Sequence, residues 1–484
     1  MRILIINPPH TAIGSRLAGE HLPPLGLLAI AGPLIDAGHD VRLLDADFSN
    51  LTTEQIVAQV IEQKPAAILL GHSGSTSAQP VINEITEMVR KRDATVKIII
   101  GGVFPTHHWN EILRKNPQID IIVRGEGEAT TLNLITALEQ NQPLEFVPGI
   151  VWRSNGVPVK TPDADLIGNL DDYRVAWELM TGNHYTYWGK RKAVVIQFSR
   201  GCPYPCTFCG QSRFWKKWRH RSPQSLADEM EMLHTQYGVR VFNFADENMA
   251  SDPTVWREFL EILIAKKLNL ILVGSIRADN IVRDADFLHL YKQAGFERFL
   301  LGIENYNEEV LKKINKAGSV SKDREAIQLL RKHGILSMAT YVVGFGEERI
   351  RDFFQSMRRL LSYNPDQIQI VYVTPHQWTP YFEEVKHAKL VLTDQRHWDY
   401  KHQVLAMRYM QPWLVFLCVK FIELVLQARP AALFRVLFHR DARLRDAMRW
   451  YTRIGRRVWF WELYQFFFVT QRATKTITLE EFWE

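Results

Sequence analysis

Short apolar runs alternate with amphipathic segments over residues 1 to about 140. The runs RILIIN, DVRLLDA, AAILLGHS, VKIIIGG and IDIIVRGEG end in Gly, Asn, Asp or Ser. Helix-like stretches such as TEQIVAQVIEQ separate them. This rhythm predicts an α/β fold in which helices cover both faces of a doubly wound parallel sheet, a Rossmann-like domain.

Ligands of such sheets bind outside the carboxyl ends of the strands, so the residues that follow each strand are candidate contacts. The candidates at these strand ends are Asn7, Pro8, Pro9, Ser73, Ser75, Thr76, Gly101, Gly102, Gly125, Glu126 and Gly127. A turn-rich stretch, SNGVPVKTPDAD, then predicts a connector over residues 141–190.

A second β/α series follows over residues 191–384. Its predicted strands are AVVIQFSRGC, VRVFNFADEN, LNLILVGSIRAD, FERFLLGIEN, ILSMATYVVGFG and QIQIVYVTP. Six strand-plus-helix units are too few for the usual eight-fold barrel, so we expect a partial (β/α)6 barrel or an open curved sheet.

The pattern changes again near residue 385, where Arg, Trp, Phe and Leu dominate and strand-and-glycine punctuation ends. We expect helices over residues 385–484. The apolar run 413–427 is interrupted by Lys420 and Glu423, and it is too short and too charged to predict a membrane span. The region is open to two interpretations, an aromatic cap over a substrate pocket or a surface for peripheral membrane contact.

The amino-acid composition excludes few classes of protein. The 484 residues are 46% hydrophobic and 23% charged, with a formal net charge of +6, which is ordinary globular composition. The first apolar stretch is too short for a secretory signal. We therefore expect a cytoplasmic protein that binds a small molecule rather than nucleic acid.

Three of the four cysteines lie in one stretch, SRGCPYPCTFCGQ, as Cys202, Cys206 and Cys209 in a C-x3-C-x2-C pattern. The fourth, Cys418, is remote, and an odd set of thiols in a large cysteine-poor chain is a poor disulfide framework. Three thiolates would hold a [4Fe–4S] cluster and leave one iron open for a cosubstrate. A zinc site that borrows a histidine from elsewhere is the alternative.

This motif, placed after the first strand of a β/α barrel, resembles that of the radical S-adenosylmethionine superfamily. The resemblance implies that Cys202, Cys206 and Cys209 ligate the cluster and that the cosubstrate chelates the open iron. It also implies strand-end contacts to S-adenosylmethionine from Asp246, Glu247, Asn248, Ser275, Arg277, Glu304, Gly344 and Gly346. Glu247 is the favoured partner of the methionine amino group.

The first domain, through NPP, LPPLGLLAIAG, GGVFPT and RGEGE, resembles the cobalamin-binding members of that superfamily. The resemblance implies that residues 1–140 bind cobalamin through the strand-end candidates. It departs from the D-x-H-x-x-G motif of methyltransferase and mutase domains, because HTAIG lacks the Asp and has a different spacing. We therefore do not expect His10 to ligate cobalt.

RGCPYPCTFCGQSRFWKKWRHRSP and YVTPHQWTPYFEE resemble the anaerobic magnesium-protoporphyrin IX monomethyl ester cyclases. The resemblance implies oxidative closure of the fifth ring of a tetrapyrrole, with the new oxygen from water. Aromatic walls for such a substrate are expected from Trp215, Trp218, Tyr372, Trp378 and Tyr381, and propionate contacts from Arg213, Lys217 and Arg219.

Other functions share this sequence pattern. A cobalamin-dependent radical C-methyltransferase acting on a tetrapyrrole, lipid or natural product has the same domains and cluster motif. A non-catalytic corrinoid- or tetrapyrrole-binding protein is a third interpretation. For either enzyme we expect a reduced flavodoxin or a ferredoxin-type protein as the electron donor.

Overall fold

The computed structural model describes residues 1–10, 19–72, 76–180, 182, 184–316, 320–470 and 477–484. Within these residues the chain forms two compact units. The first comprises residues 1–10 and 23–184, and the second comprises residues 19–22 and 185–484.

The first unit is built on a seven-stranded sheet. Its strands are β1 (Arg2–Asn7), β2 (Asp40–Asp45), β3 (Ala67–His72), β4 (Lys97–Gly102), β5 (Ile121–Val123), β6 (Ile150–Ser154) and β7 (Val157–Lys160). The order is β2-β1-β3-β4-β5-β6-β7. The first five strands are parallel, as the apolar runs predict, so their carboxyl ends lie along one edge. β6 and β7 pair antiparallel and extend this sheet, although they fall within the predicted connector.

Helices connect the parallel strands. They are α1 (Leu25–Asp36), α2 (Thr53–Gln63), α3 (Gln79–Arg92), α4 (Val103–Lys115) and α5 (Gly127–Glu139). Local sequence sets their ends: Thr52 and Gln55 form a capping box at the start of α2. The strands read as continuous Ile, Leu and Val because both faces are covered, and Ile3, Ile5 and Ile99 are almost completely buried.

The second unit contains a second seven-stranded sheet and a short hairpin. Its strands are β8 (Thr186–Tyr187), β9 (Arg191–Ile196), β10 (Ser199–Arg200), β11 (Arg219–His220), β12 (Val241–Phe244), β13 (Ile271–Ile276), β14 (Phe296–Glu304), β15 (Leu336–Val343) and β16 (Gln367–Tyr372). The sheet order is β16-β15-β14-β13-β12-β9-β8. The six strands β9, β12, β13, β14, β15 and β16 are parallel neighbours in chain order, which confirms the predicted six-unit partial barrel.

The helices of this unit include both barrel helices and a C-terminal group. They are α6 (Gln211–Trp215), α7 (Pro223–Tyr237), α8 (Pro253–Ala265), α9 (Ala278–Arg283), α10 (Leu288–Ala294), α11 (Glu308–Lys313), α12 (Val320–Lys332), α13 (Ile350–Tyr363), α14 (Pro380–Val385), α15 (Pro412–Ala428), α16 (Pro430–Phe438), α17 (Ala442–Tyr464) and α18 (Leu479–Trp483). The predicted C-terminal helices are therefore confirmed from Pro412 onward, whereas residues 386–411 form a single 3-10 turn, Gln395–His397, and isolated β-bridges instead of α-helices. Among the described residues, no helix combines the length and apolar character that crossing a membrane requires.

The C-terminal helices pack on the barrel. Leu444, Ala447 and Met448 of α17 share a buried cluster with Tyr187 and Ala193 of the sheet. α15 packs against β16 and α13, and α16 lies against both α15 and α17. These helices therefore belong to the same compact unit as the cysteine loop.

Candidate functional site

The three cysteines lie on the loop between β10 and α6, just beyond the carboxyl end of β9. All three are free thiols and none is fully exposed. The β10–β11 hairpin pairs Ser199 with His220 and so holds both ends of this segment together. Gly201 begins the loop at φ +90°, where an added Cβ would lie 2.3 Å from the Lys217 carbonyl oxygen. Glycine is required at this position by both its backbone conformation and the close approach.

Backbone and side-chain hydrogen bonds hold the loop from outside. Thr207 N–H donates to the Ile314 carbonyl at 3.0 Å, and Tyr381 N–H donates to the Thr207 carbonyl at 3.1 Å. The Trp378 indole N–H donates to the Gly210 carbonyl at 2.9 Å. The loop is therefore positioned by later elements of the barrel, which makes it a preorganised ligand frame rather than a free surface turn.

The electrostatics of the three thiols suit ligation by a cationic cluster. Burial raises the pKa of Cys202 and Cys209, and it raises the pKa of Cys206 to about 11. The cations of Lys316 and Arg277 oppose that rise at Cys206. Soft thiolates in a partly buried loop fit an iron–sulfur cluster, because bound iron supplies the positive charge that favours the deprotonated form.

No group of three or more His, Cys, Asp or Glu side chains within the described ranges converges closely enough to hold one metal ion. That finding concerns a single ion with all its ligands in one coordination shell. The thiolates of a four-iron cluster bind different irons, so they do not need to converge on one point.

The acidic end of β12 contains two carboxyl groups with different roles. Asp246 accepts hydrogen bonds from Phe198 N–H at 3.1 Å, from Ser199 N–H at 2.5 Å and from the Ser199 hydroxyl at 2.6 Å. It therefore anchors the strand that leads into the cysteine loop. Burial raises the pKa of Asp246 to about 6, although these hydrogen bonds favour the ionised form.

Glu247 and Asn248 have unsatisfied polar atoms in this part of the site. The Oε2 atom of Glu247 and the Nδ2 atom of Asn248 are buried and have no hydrogen-bond partner among the described residues. Burial raises the pKa of Glu247 to about 7. Glu247 lies near the Gly201 backbone and the Trp215 indole, which oppose the rise in its pKa, so it is placed at the cysteine loop. An unsatisfied buried carboxylate oxygen there fits the amino group at the methionine end of S-adenosylmethionine.

Arg277 follows β13 and lies against the cysteine loop. Its guanidinium is 3.6 Å from the centre of the Tyr204 ring, and its Nε donates to Asp279 at 2.9 Å. Ser275, two residues earlier, lies instead on the inner face of the sheet, where it lines the large cavity described below. Arg277 and Ser275, both predicted to contact S-adenosylmethionine, therefore lie on different surfaces.

Glu304 ends β14 and forms an ion pair that the sequence did not reveal. It has φ +64°, beyond a register shift between β14 and β15, and its Oε1 lies 3.0 Å from Lys316 Nζ. Both side chains are 12% exposed. Lys316 belongs to a local run with Lys312 and Lys313, so nothing in the sequence distinguishes it from a solvated lysine.

Gly344 and Gly346 both lie at positive φ after β15, as a close backbone approach to a ligand requires. A side chain that sequence reasoning missed holds this turn. The Oε2 atom of Glu348 accepts from Gly344 N–H at 2.7 Å and from Phe345 N–H at 3.0 Å. Burial raises the pKa of Glu348 to about 7.

The Glu348→Gln variant is expected to lose part of the pH dependence of stability. Unfolded Glu348 ionises near pH 4.5 but folded Glu348 near pH 7, so the folded state binds more protons between these values. This group therefore stabilises the fold at acid pH, and up to about 3 kcal/mol of that contribution is lost as pH rises through 7.

Denaturant unfolding of the apoprotein between pH 4.5 and 8 measures this effect. The difference between wild type and Glu348→Gln should change across the window, whereas the neighbouring Glu347, which is 66% exposed, should show no such change as Glu347→Gln. Parallel profiles for wild type and Glu348→Gln would contradict the assignment.

A cavity of about 750 Å³ lies along the inner face of the curved sheet. Strand residues on one side face the C-terminal helices on the other. The strand side includes Asn243, Ser275, Leu300, Met338 and Gln369, and the helix side includes Gln427, Leu433, Met448, Gly455 and Trp459. Its volume lies within the range of sites for large organic ligands.

The predicted aromatic walls are not part of this cavity. Tyr372 lies on the opposite face of β16 and lines a separate small cavity with Phe416 and Glu462, because side chains alternate along a strand. Trp218 donates its indole N–H to the Asn248 carbonyl at 3.0 Å, and Trp378 stacks on His376 at 4.6 Å. Trp215 packs edge-on to Phe214. These tryptophans support the cysteine loop and the residues next to it.

Arg298 is an unusual lining residue of the same cavity. It is 7% exposed, and its Nη1 donates to Tyr451 Oη at 2.5 Å and to Tyr187 Oη at 3.3 Å. Its Nε has no hydrogen-bond partner in the part of the chain that the structure describes, and no carboxylate there pairs with it. A buried guanidinium without a counter-ion is an anion-binding group.

The strand-end candidates of the first unit lie along one edge of its sheet. Asn7 is buried and donates to Asp45 at 2.7 Å. Thr76 is buried beyond β3, Gly101 and Gly102 end β4, and Pro8 and Pro9 follow β1. Ser73 and Ser75 lie outside the described residues. The ring Nδ1 of His10 lies 2.8 Å from the Pro8 carbonyl oxygen, within its own loop.

Glycines leave this edge of the sheet without side chains that would block a flat ligand. Gly102 and Gly125 lie at φ +109° and +77°, and no atom lies within 4 Å of a Cβ built on Gly125. Glu126 accepts from Ile167 N–H at 2.8 Å and so braces the turn before α5, while a Cβ on Gly127 would press on Ile30. The edge fits cobalamin in having open backbone beside buried polar groups.

Two family models match the chain. The Radical SAM superfamily model matches residues 196–360, and the B12 binding domain model matches residues 13–135. These ranges correspond to the barrel that carries the cysteine loop and to the first sheet.

Individual proteins match over longer ranges. The anaerobic magnesium-protoporphyrin IX monomethyl ester cyclase of Synechocystis sp. is 54% identical over 100% of this chain and 97% of its own length. The protein of the same name from Rubrivivax gelatinosus is 32% identical over 80% of this chain and 70% of its own length. The cobalamin-dependent S-adenosylmethionine radical enzyme OxsB, solved with aqua-cobalamin and S-adenosylmethionine, is 17% identical, and the likeness in fold has a TM-score of 0.71 over 97% of this chain and 73% of OxsB.

Proposed function

This chain belongs to the anaerobic magnesium-protoporphyrin IX monomethyl ester cyclase family, and from that premise we propose that it closes the isocyclic ring of magnesium-protoporphyrin IX monomethyl ester without molecular oxygen. It is a radical S-adenosylmethionine enzyme with a [4Fe–4S] cluster, S-adenosylmethionine and cobalamin as cofactors. Residues 1–140 are proposed to bind cobalamin and residues 191–384 to hold the cluster.

The bound cofactors supply hydrogen abstraction and one-electron chemistry, and the protein supplies position and shelter. Cys202, Cys206 and Cys209 are proposed to hold the cluster. Glu247 and Asn248 offer the acceptor and donor for the amino-acid end of S-adenosylmethionine, and the Gly344 turn held by Glu348 offers open backbone to its adenine.

The observation that carries the substrate proposal is Arg298 in the 750 Å³ cavity. A monomethyl ester of a porphyrin with two propionates retains one free carboxylate. A buried guanidinium that lacks a protein counter-ion would bind that carboxylate strongly, because the ligand then neutralises an otherwise uncompensated charge. The remaining lining, mixed apolar and amide, suits a macrocycle with few polar edges.

Anaerobic turnover tests the reaction. The reconstituted protein is incubated with the magnesium porphyrin monoester, S-adenosylmethionine, cobalamin and a reductant, in isotopically labelled water. A product with a new carbonyl that carries the water label is expected. A methylated product would instead select the C-methyltransferase alternative, and an unchanged porphyrin despite S-adenosylmethionine cleavage would contradict both.

The Arg298→Met variant is expected to raise the KM for the monoester by about 10- to 100-fold, the value of a buried charge-assisted pair. Wild type should prefer the monoester over the dimethyl ester, and Arg298→Met should lose this preference. Reductive S-adenosylmethionine cleavage without substrate should be unchanged, and Arg298→Lys should recover part of the preference. Equal use of both esters by wild type would contradict the role of Arg298.

We also propose a reduced flavodoxin or ferredoxin-type protein as electron donor and a cytoplasmic location. The donor proposal rests on the reductive chemistry of the superfamily. It is tested by replacing a chemical reductant with the reduced flavodoxin in the same assay, where the loss of turnover would contradict it.

A further inference from the structure

The helix α15 is apolar on its exposed side as well as on its buried side, where Val415, Phe416, Val419, Ile422 and Leu426 pack. Its charged residues face inward, where Lys420 is 5% exposed, lies 2.6 Å from Glu423 and also pairs with Glu462. Its outward residues are Trp413, Leu417, Phe421 and Leu424, at the i, i+4, i+8 and i+11 spacing of a single helix face. A second apolar face of this helix is therefore directed away from the protein.

The neighbouring helices expose apolar side chains in the same way. On α16, Leu433, Phe434, Leu437 and Phe438 are each about half exposed or more. Phe434 and Phe438 contact each other with ring centres 5.4 Å apart. A soluble helix buries such residues, so their exposure on two consecutive packed helices indicates an interaction surface.

The end of α17 and the π-helical turn that follows it, Gln465–Val469, continue the pattern. Phe460, Trp461, Tyr464 and Phe468 are all at least half exposed, and Tyr464 stacks between Trp461 and Phe468. We call the exposed apolar residues of α15, α16, α17 and this turn the apolar surface.

Positive charge borders the apolar surface. Residues 409–470 contain ten Lys or Arg and four Asp or Glu. Lys420 and Arg435 are not part of this border, because Lys420 pairs with Glu423 and Glu462 and Arg435 pairs with Asp366. Arg453 and Arg457 are exposed on α17, and neither forms an ion pair among the described residues. Arg457 lies one turn before Trp461 on the same face of the helix.

We propose that the apolar surface docks on a lipid bilayer that contains anionic lipid. Trp, Tyr and Phe beside arginines on helices that lie along the surface are the composition of an interfacial membrane-binding element. A second copy of this chain fits less well, since a symmetric contact would bring together two segments in which basic residues outnumber acidic ones.

The 750 Å³ cavity lies next to the apolar surface. Leu424, Leu433 and Phe460 belong to the apolar surface and also line the 750 Å³ cavity. The cavity therefore borders the face that would contact lipid. If the proposed function holds, an apolar macrocycle could pass from the bilayer to the cavity without crossing water, but the docking itself does not depend on that function.

Vesicle sedimentation of the purified full-length chain tests the proposal without turnover. Wild type should bind vesicles of phosphatidylcholine with phosphatidylglycerol and should bind pure phosphatidylcholine much less. Phe434→Ser with Phe438→Ser should lower the partition by at least about tenfold, whereas Phe146→Ser with Phe354→Ser, two exposed aromatics outside the surface, should leave it unchanged.

Charge variants test the electrostatic part. Arg453→Gln with Arg457→Gln should weaken binding to anionic vesicles by roughly 30-fold, since each arginine near a bilayer contributes about fivefold. Arg358→Gln with Arg359→Gln, an exposed pair on α13, is the matched control.

Three results would overturn the docking proposal. These are absence of wild-type binding, equal loss in the control variants, and a dimer in solution that Phe434→Ser with Phe438→Ser converts to a monomer while vesicles remain unbound. None of them bears on the cyclisation assay, so failure of the docking and failure of the proposed function are separate outcomes.

Discussion

Replacement of Cys206 by alanine is expected to abolish cluster assembly and S-adenosylmethionine cleavage. The loop offers three thiols, and the hydrogen bonds of Thr207 to Ile314 and of Tyr381 to Thr207 fix it in place. With one thiol removed, two thiolate ligands remain for four irons. Iron and sulfide content of the anaerobically reconstituted protein, with the yield of 5′-deoxyadenosine, measures the loss.

Cys418 provides the matched control, because it is the fourth free thiol and lies on α15. Cys418→Ala should keep wild-type iron content and cleavage. Cys202→Ala and Cys209→Ala should behave as Cys206→Ala does. An intact cluster and full activity in the Cys206 variant would refute the assignment of the site.

The Glu247→Gln variant is expected to weaken S-adenosylmethionine binding by about 100-fold or more, because a buried carboxylate that pairs with an ammonium group is worth several kcal/mol. The apoprotein should be as stable as wild type or more stable, since the variant removes a carboxyl group whose Oε2 has no partner among the described residues. Equilibrium binding of S-adenosylmethionine and the melting temperature of the apoprotein measure the two effects.

Two control variants distinguish a binding role of Glu247 from a structural one. Glu258 is an exposed carboxylate on α8, and Glu258→Gln should change neither quantity. Asp246→Ala should lower the melting temperature markedly, because three hydrogen bonds to Phe198 and Ser199 are lost. If Glu247→Gln lowered stability as Asp246→Ala does and left binding unchanged, Glu247 would be a structural residue.

The local pattern of apolar residues was sufficient to predict the parallel strands of both domains. The apolar runs of each domain became parallel strands in chain order, since a strand that is buried on both faces must be apolar throughout. The C-x3-C-x2-C spacing predicted a cluster loop, because that chemistry needs three thiolates on one short segment. Of the residues that the resemblance implied, Glu247, Arg277 and Gly344 follow strands of one barrel, and Glu304 ends β14.

The roles of residues that depend on contacts with remote parts of the chain could not be predicted from the local sequence pattern. Lys316 looks like its neighbouring surface lysines, and only the turn that brings it 3.0 Å from Glu304 makes it a buried partner. Arg298 is the third residue of β14 and has no motif around it. Its role could be inferred only from its contacts with Tyr187 and Tyr451, which are remote in sequence. The aromatic side chains near the cysteines were predicted as substrate walls, but three tryptophans support the loop region and Tyr372 points to the other face of its strand.

The sequence by itself determined the two α/β domains and the cysteine loop, because these depend on local periodicity and on residues that are close along the chain. The cofactors followed from the resemblance of its motifs to known families. Only the tertiary structure decided where the large cavity lies and which side of the C-terminal helices faces outward. Burial is the reason: whether Lys420 or Phe421 meets solvent depends on Glu462, forty residues away, and not on the adjacent sequence.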